Sequence, residues 1–205
     1  MSDEPLLDHA TDDQLVARIG ARDRTALSLL FRRRHADVYR VAMLMTGSPA
    51  AAEDVTQDVF LAVMHDASRF ESGRATVTAW LCGIARNHAR RRLDRDRRTL
   101  PFPDRSERLP GAAVIHADPV REISNAEQIE WLRRAVLTLP VRYREVVVLC
   151  DLQELSYADA AIALECSIGT VRSRLHRGRA LLTAKMHAHD GTSAAAVKKI
   201  SRCLA

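Results

Sequence analysis

Aromatic side chains are scarce in this chain, 4% of 205 residues, and the 47% hydrophobic content is carried chiefly by Ala, Leu and Val. That composition excludes a disordered chain and favours helices over sheets, because Ala and Leu are strong helix formers. Cysteine is limited to Cys82, Cys150, Cys166 and Cys203, and no two have the spacing of a metal knuckle or a redox pair. The first three fall in apolar patterns and read as buried thiols, and Cys203 lies in a tail. Phosphate-loop and dinucleotide glycine patterns are missing. Asp54, Asp58 and His65 share one helix but lack the two-histidine spacing of a zinc protease. His35 and His88 read as helix-face residues. The expectation is therefore no enzyme, no catalytic residue, no metal and no cofactor. No hydrophobic run approaches a bilayer span, and the acidic start MSDEPLLDHA has no apolar core of a secretory signal. A cytoplasmic protein without membrane insertion is expected.

Arginine is abundant and clustered. Seven arginines lie between Arg86 and Arg98 and four between Arg172 and Arg179, against an acidic beginning with Asp3, Glu4, Asp8, Asp12 and Asp13. Two separated cationic clusters in a chain of net charge +5 suit a polyanion such as nucleic acid. Two solvated helix faces are the less favoured reading of the charge pattern.

Apolar positions recur at helical spacing over most of the chain. A short helix fits 12–21, capped by Thr11, and a second fits 25–46, ended by Gly47. Ser48 caps a third with Pro49 at its first position, running to about His65. Val55, Val59, Ala62 and Val63 face inward there, beside a polar ridge of Glu53, Asp54, Gln57 and Asp58. A loop follows at 66–75, then a helix over about 77–95 with Trp80, Leu81, Ile84 and Ala85 on one side. Residues 99–120 carry four prolines and no sustained period, which marks a linker. Beyond it, helices fit about 121–138, 141–153, 157–164 and 168–186. The expected fold is all-α: two small helical domains, 1–98 and 121–186, joined by a flexible linker, the second containing a helix-turn-helix, with a tail over 187–205.

The helix-turn-helix reading rests on SYADAAIALECSIGTVRSRLHRGR, residues 156–179. Ser156 and Asp159 have capping-box spacing. Tyr157, Ala160, Ala161 and Leu164 are expected to pack on Val171 and Leu175, with the two alanines permitting a steep, close crossing. The second helix then presents Thr170, Arg172, Ser173, Arg174, His176, Arg177 and Arg179. A helix fits the major groove, arginine can read guanine with two hydrogen bonds, and Thr or Ser can contact base or phosphate. Arg177 and Arg179 are expected on phosphate.

These motifs together resemble the extracytoplasmic-function (ECF) sigma factors of the sigma-70 family over about residues 12–185. AAEDVTQDVFLAV (51–63) resembles the family's second conserved region. The resemblance implies that Asp54, Gln57, Asp58 and Phe60 dock core RNA polymerase. TAWLCGIARNHARRRLDR (78–95) resembles the segment that recognises and melts the −10 element, with Arg86, Asn87, Arg90 and Arg91 facing DNA. The loop around Ser68–Gly73 corresponds to the part that captures an unstacked base. Phe70 there is either a stacking platform or a buried anchor. Residues 139–182 resemble the fourth region, which reads the −35 element of promoter DNA. Glu165 stands in the turn where the family usually has Gly, and Met64 replaces a frequent Trp. The implied function is an alternative RNA polymerase sigma factor directing promoter-specific transcription initiation, held by an anti-sigma factor. A helix-turn-helix regulator acting without polymerase is the alternative, and dimeric binding of the free protein to a two-fold site would mark it.

Overall fold

The computed structural model describes residues 9–99 and 125–190. All regular structure among them is helical: α1 Asp12–Gly20, α2 Arg24–Thr46, α3 Pro49–Asp66, α4 Val77–Thr99, α5 Asn125–Leu137, α6 Val141–Val147, α7 Tyr157–Ala163 and α8 Ile168–Asp190. A 3-10 turn, Ala67–Arg69, follows α3, and one π-helical turn, Val148–Leu152, follows α6. Most of the 99–120 linker, the stretch 121–124 and the tail beyond Asp190 lie outside the described residues.

Local chemistry sets most helix ends. Thr11 accepts from the Gln14 amide while the Gln14 side chain accepts from the Thr11 amide, a reciprocal capping box. Asp23 caps α2 through the amides of Thr25 and Ala26, and these bonds to the charged form hold its carboxyl below the usual range, the Ala26 amide most of all. Gly47 ends α2 with φ +73°, a left-handed conformation that glycine takes without a Cβ clash. Ser48 caps α3 through the Ala51 amide, and Pro49 occupies the first turn.

Helices α1–α4 enclose one apolar centre in which Leu15, Leu30, Met45, Val59 and Leu81 are almost wholly buried. Cys82 lies in the same core, and burial pushes its thiol up to about 12. Helices α5–α8 pack around Leu139, Val146, Leu149, Val171 and Leu175, which join the same buried cluster. The helix expected over 141–153 departs from α-helical geometry after Val147, where the π turn carries Asp151 inward, 2% exposed.

The two helical units pack directly on each other. Gly83 of α4 meets Ala163 of α7 so closely that a Cβ on Gly83 would lie 3.3 Å from the Ala163 Cα. Leu137 of α5 covers Gly47. Arg144 of α6 donates to the Met45 carbonyl at the end of α2, at 2.6 Å, and to the Leu137 and Leu139 carbonyls. One guanidinium thus satisfies carbonyls from both units, including orphan groups at two helix ends.

Candidate nucleic-acid interface

Ser156 accepts from the Asp159 amide at 3.0 Å and opens α7. Ser167 does the same for the Thr170 amide at 3.2 Å and opens α8. Between the helices, Glu165 takes φ +54°, the conformation that makes glycine common at such turns. Ala160, Ala161 and Leu164 bury against Val171 and Leu175, as the pattern of small residues suggested. Tyr157 departs from that expectation. It is 39% exposed and lies outside the crossing, where the Arg172 guanidinium sits 5.9 Å from its ring centre.

On α8, Arg172, Ser173, His176 and Arg177 are exposed, and Thr170 and Arg174 are half-buried. Among the described residues no carboxylate pairs with Arg172, Arg174 or Arg177. The Arg177 guanidinium near the Tyr143 hydroxyl holds that phenol below its usual range. Arg179 is different from its neighbours. It makes a two-pronged ion pair with Asp151, whose carboxylate is almost inaccessible to water. Its role here is to brace α8 against the π turn, and that pairing keeps its guanidinium charged beyond its usual range. Arg179 was expected on phosphate, but its guanidinium is engaged by Asp151, which nothing in the local sequence turns inward.

The second cluster, on α4, is split. Arg91 is exposed beside His88 and Asp94, and Arg90 is exposed but lies 3.5 Å from Glu145. Asn87 is half-buried and accepts from Arg86 at 2.8 Å. Arg86, expected to face DNA, is instead 7% exposed and bonded through Nε and Nη2 to Glu145 of α6, at 3.1 and 3.4 Å. Its aliphatic stem and charge leave the surface because Glu145, 1% exposed, requires a cationic partner. Neither Glu145 nor Arg144 stood out in the sequence, where VRYREVV reads only as an amphipathic helix.

Beside Arg86 a groove of about 260 Å³ runs between the units, with Phe70, Trp80, Ile84 and Asn87 on one side and Ile162 and Glu165 on the other. Phe70 is tilted against Trp80 at 5.1 Å, so it both anchors the loop and borders the groove. Ser72 in the same loop donates to Asp13 at 2.7 Å, tying the loop to α1.

On α3 the polar ridge is partly engaged. Asp54 receives Arg92 at 2.5 Å and keeps that guanidinium charged beyond its usual range, and Asp58 faces His88 at 3.3 Å. Gln57 is exposed. Phe60, expected on the docking surface, is 6% exposed and is tilted against Phe31, with ring centres 4.7 Å apart. The exposed apolar residues beside the ridge are Leu61 and Met64, 54% and 50% exposed. Leu61 follows Gln57 by four residues and Met64 follows Leu61 by three, so all three share one stripe.

Among the described residues no cluster of His, Cys, Asp or Glu can hold a metal ion, and no helix is long and apolar enough to cross a membrane.

Two family models match this chain: "Sigma-70 region 2" over residues 30–99 and "Sigma-70, region 4" over residues 129–182. The chain is 36% identical over 173 residues to the ECF RNA polymerase sigma factor SigM of Mycobacterium tuberculosis, covering 84% of this chain and 83% of that one. It is also 36% identical over 173 residues to the ECF sigma factor SigE of Mycolicibacterium smegmatis, of which it spans 62%. In three dimensions it is similar to CnrH, solved in complex with the cytosolic domain of CnrY, at a TM-score of 0.63 and 26% identity over 86% of this chain and 97% of that one. The chain belongs to the sigma-70 family and, within it, to the ECF sigma factors. It is an alternative sigma factor, a non-catalytic subunit that directs promoter-specific transcription initiation.

Proposed function

We propose that the two helical units divide initiation between them. The first unit, within residues 1–98, docks core RNA polymerase through the α3 ridge and reads the −10 element through α4. Residues 99–120 connect it to the second unit, within 121–186, which reads the −35 element through α8. The observation that carries this reading is the outer face of α8, where Arg172, Ser173, Arg174, His176 and Arg177 meet no carboxylate among the described residues. An unpaired cationic helix face beside a tight crossing suits the major groove. Thr170, Arg174 and Arg172 contact bases or the phosphates beside them, and Arg177 meets phosphate.

On α4, Asn87, Arg90 and Arg91 contact the melting strand, joined by Arg86 once it leaves Glu145. Unstacking costs a few kcal/mol per step, so contacts to the separated strand must offset it. On α3, Asp54, Gln57 and Asp58 form the polar part of the polymerase contact. Leu61 and Met64 supply its apolar part, and Phe60 supports the helix from beneath. As CnrH is bound by CnrY, this chain is held by an anti-sigma protein, and it works in the cytoplasm with the polymerase.

A titration of the full chain against bacterial core RNA polymerase, beside an Asp54→Ala/Gln57→Ala double variant, tests the docking face. Tight binding that weakens in the double variant is expected. Tight binding unaffected by it moves the interface elsewhere, and no binding by a folded wild-type chain overturns the reading.

A further inference from the structure

Tyr143 of α6 gathers two arginines from different helices around one ring. Helix α8 crosses α6 at Gly178, where a Cβ would lie 2.8 Å from Val147 Cγ2 and 3.4 Å from the Tyr143 carbonyl oxygen. Only glycine permits so close an approach. Arg177, the residue before Gly178, is thereby brought near the Tyr143 hydroxyl. From the start of α6 the Arg142 guanidinium lies over the Tyr143 ring, 4.7 Å from its centre. Both cations lower the phenol, Arg177 most of all. Arg142 and Arg177 are exposed, and among the described residues no carboxylate pairs with either. The ring between them is 8% exposed and held by its packing. Two like charges gathered on a fixed support repel each other, and an anion placed between them relieves that repulsion.

We propose that Arg142, Tyr143 and Arg177 seat one phosphodiester group of duplex DNA, so that the supporting helix α6 belongs to the DNA surface. The proposal rests on the reading of α8 as the duplex-reading helix, and it adds residues from outside the helix-turn-helix. The ligand class follows from the donors. Guanidinium groups present paired N–H donors that match phosphate oxygens, and the phenol adds one O–H. The place follows from the helix. Arg177 stands one turn beyond Arg174, about 5 Å along the axis, so a phosphate held there lies on the wall of the groove that Arg174 enters. Such a contact strengthens binding to any sequence, because phosphates position a duplex without being read. It also sets the docking angle. One phosphate held from both α6 and α8 fixes the duplex relative to two crossing helices, where a contact from α8 alone would leave it free to roll about that helix.

The test titrates the full chain against two short duplexes of unrelated sequence over a range of salt. Arg142→Gln removes the charge and keeps most of the stem over the ring, and Arg142→Lys restores the charge. Arg40→Gln removes an equal charge from the exposed surface of α2 and serves as the control. Arg142→Gln is expected to weaken binding about three- to tenfold on both duplexes alike, and to make the slope of log affinity against log salt shallower by about 1. Arg142→Lys keeps the wild-type slope, and Arg40→Gln changes neither quantity. In the double variant Arg142→Gln/Arg177→Gln the losses fall short of additive, because both side chains hold one phosphate. An unchanged slope in Arg142→Gln, with a shallower one in Arg177→Gln, overturns the seat and leaves the reading of α8 standing. Fully additive losses place the two arginines on separate phosphates and overturn it as well. Unaltered duplex binding with a weaker titration against core RNA polymerase assigns Arg142 to an acidic protein surface and overturns the proposal. No duplex binding by the wild-type chain, or unchanged binding in both Arg174→Gln and Arg177→Gln, removes the reading on which the seat rests.

Discussion

The Asp151 carboxylate, turned inward by the π turn after α6, is met from α8 by both the Nε and an Nη of Arg179. The contact runs from the element that supports the helix-turn-helix to α8, the helix proposed to read DNA, so it fixes the direction in which α8 projects. Arg179→Ala leaves an almost fully buried carboxylate without its partner. The Arg179 side chain is about half exposed, and water entering from that side moderates the loss. A destabilisation of about 1–3 kcal/mol is expected in urea unfolding, with the loss recovered in part by adding Asp151→Asn.

Arg174 is the contrasting case, since no carboxylate among the described residues pairs with it. Arg174→Ala should leave the unfolding midpoint within about 0.5 kcal/mol of wild type and cost about 1–3 kcal/mol at a cognate upstream element. Fluorescence anisotropy on cognate and scrambled duplexes checks this. Equal losses on both would make Arg174 a phosphate contact.

Phe60 and Leu61 are neighbours in sequence with opposite fates, 6% and 54% exposed. Phe60→Ala should destabilise the first unit by about 3–5 kcal/mol, as expected for a truncated core aromatic. Leu61→Ser should leave the melting temperature nearly unchanged and weaken binding to core polymerase. Thermal melts paired with polymerase titrations separate the two effects.

Glu165 holds φ +54° in the turn of the helix-turn-helix. Glu165→Gly removes the clash between Cβ and backbone but adds freedom to the unfolded chain, so the net gain is about 0.5–1 kcal/mol. Glu165→Val should destabilise, because a β-branched residue tolerates this conformation poorly. Equilibrium unfolding of the three chains gives the order directly.

Burial raises the Cys82 thiol from 9.0 to about 12 and the Cys150 thiol from 9.0 to about 11. The folded chain therefore holds these protons at pH values where the unfolded chain has released them. Their contribution to stability is complete below pH 9 and is lost as pH rises through 11 and 12. Tyr143, lowered chiefly by the nearby Arg177, acts in the opposite sense. Urea midpoints measured across this range should fall in wild type and fall less in Cys82→Ala/Cys150→Ala.

The helices, most of their caps and the helix-turn-helix are legible in the sequence alone, because they depend on contacts between residues a few positions apart. Thr11, Asp23, Ser48, Ser156 and Ser167 each bond an amide within three residues. The apolar spacing likewise identifies the inner faces, and the order of the two motifs identifies the family. Which of the arginine charges stay open to a partner depends on how distant helices pack. Arg86 and Arg174 are alike as letters in basic helices, yet one is enclosed by Glu145, which lies 59 positions away. Arg179 and Arg177 differ in the same way through Asp151, 28 positions from Arg179. Burial of a carboxylate depends on how helices from distant segments cross, and a buried carboxylate takes whichever guanidinium can reach it. That long-range choice separates the arginines held in ion pairs from those left on the open surface.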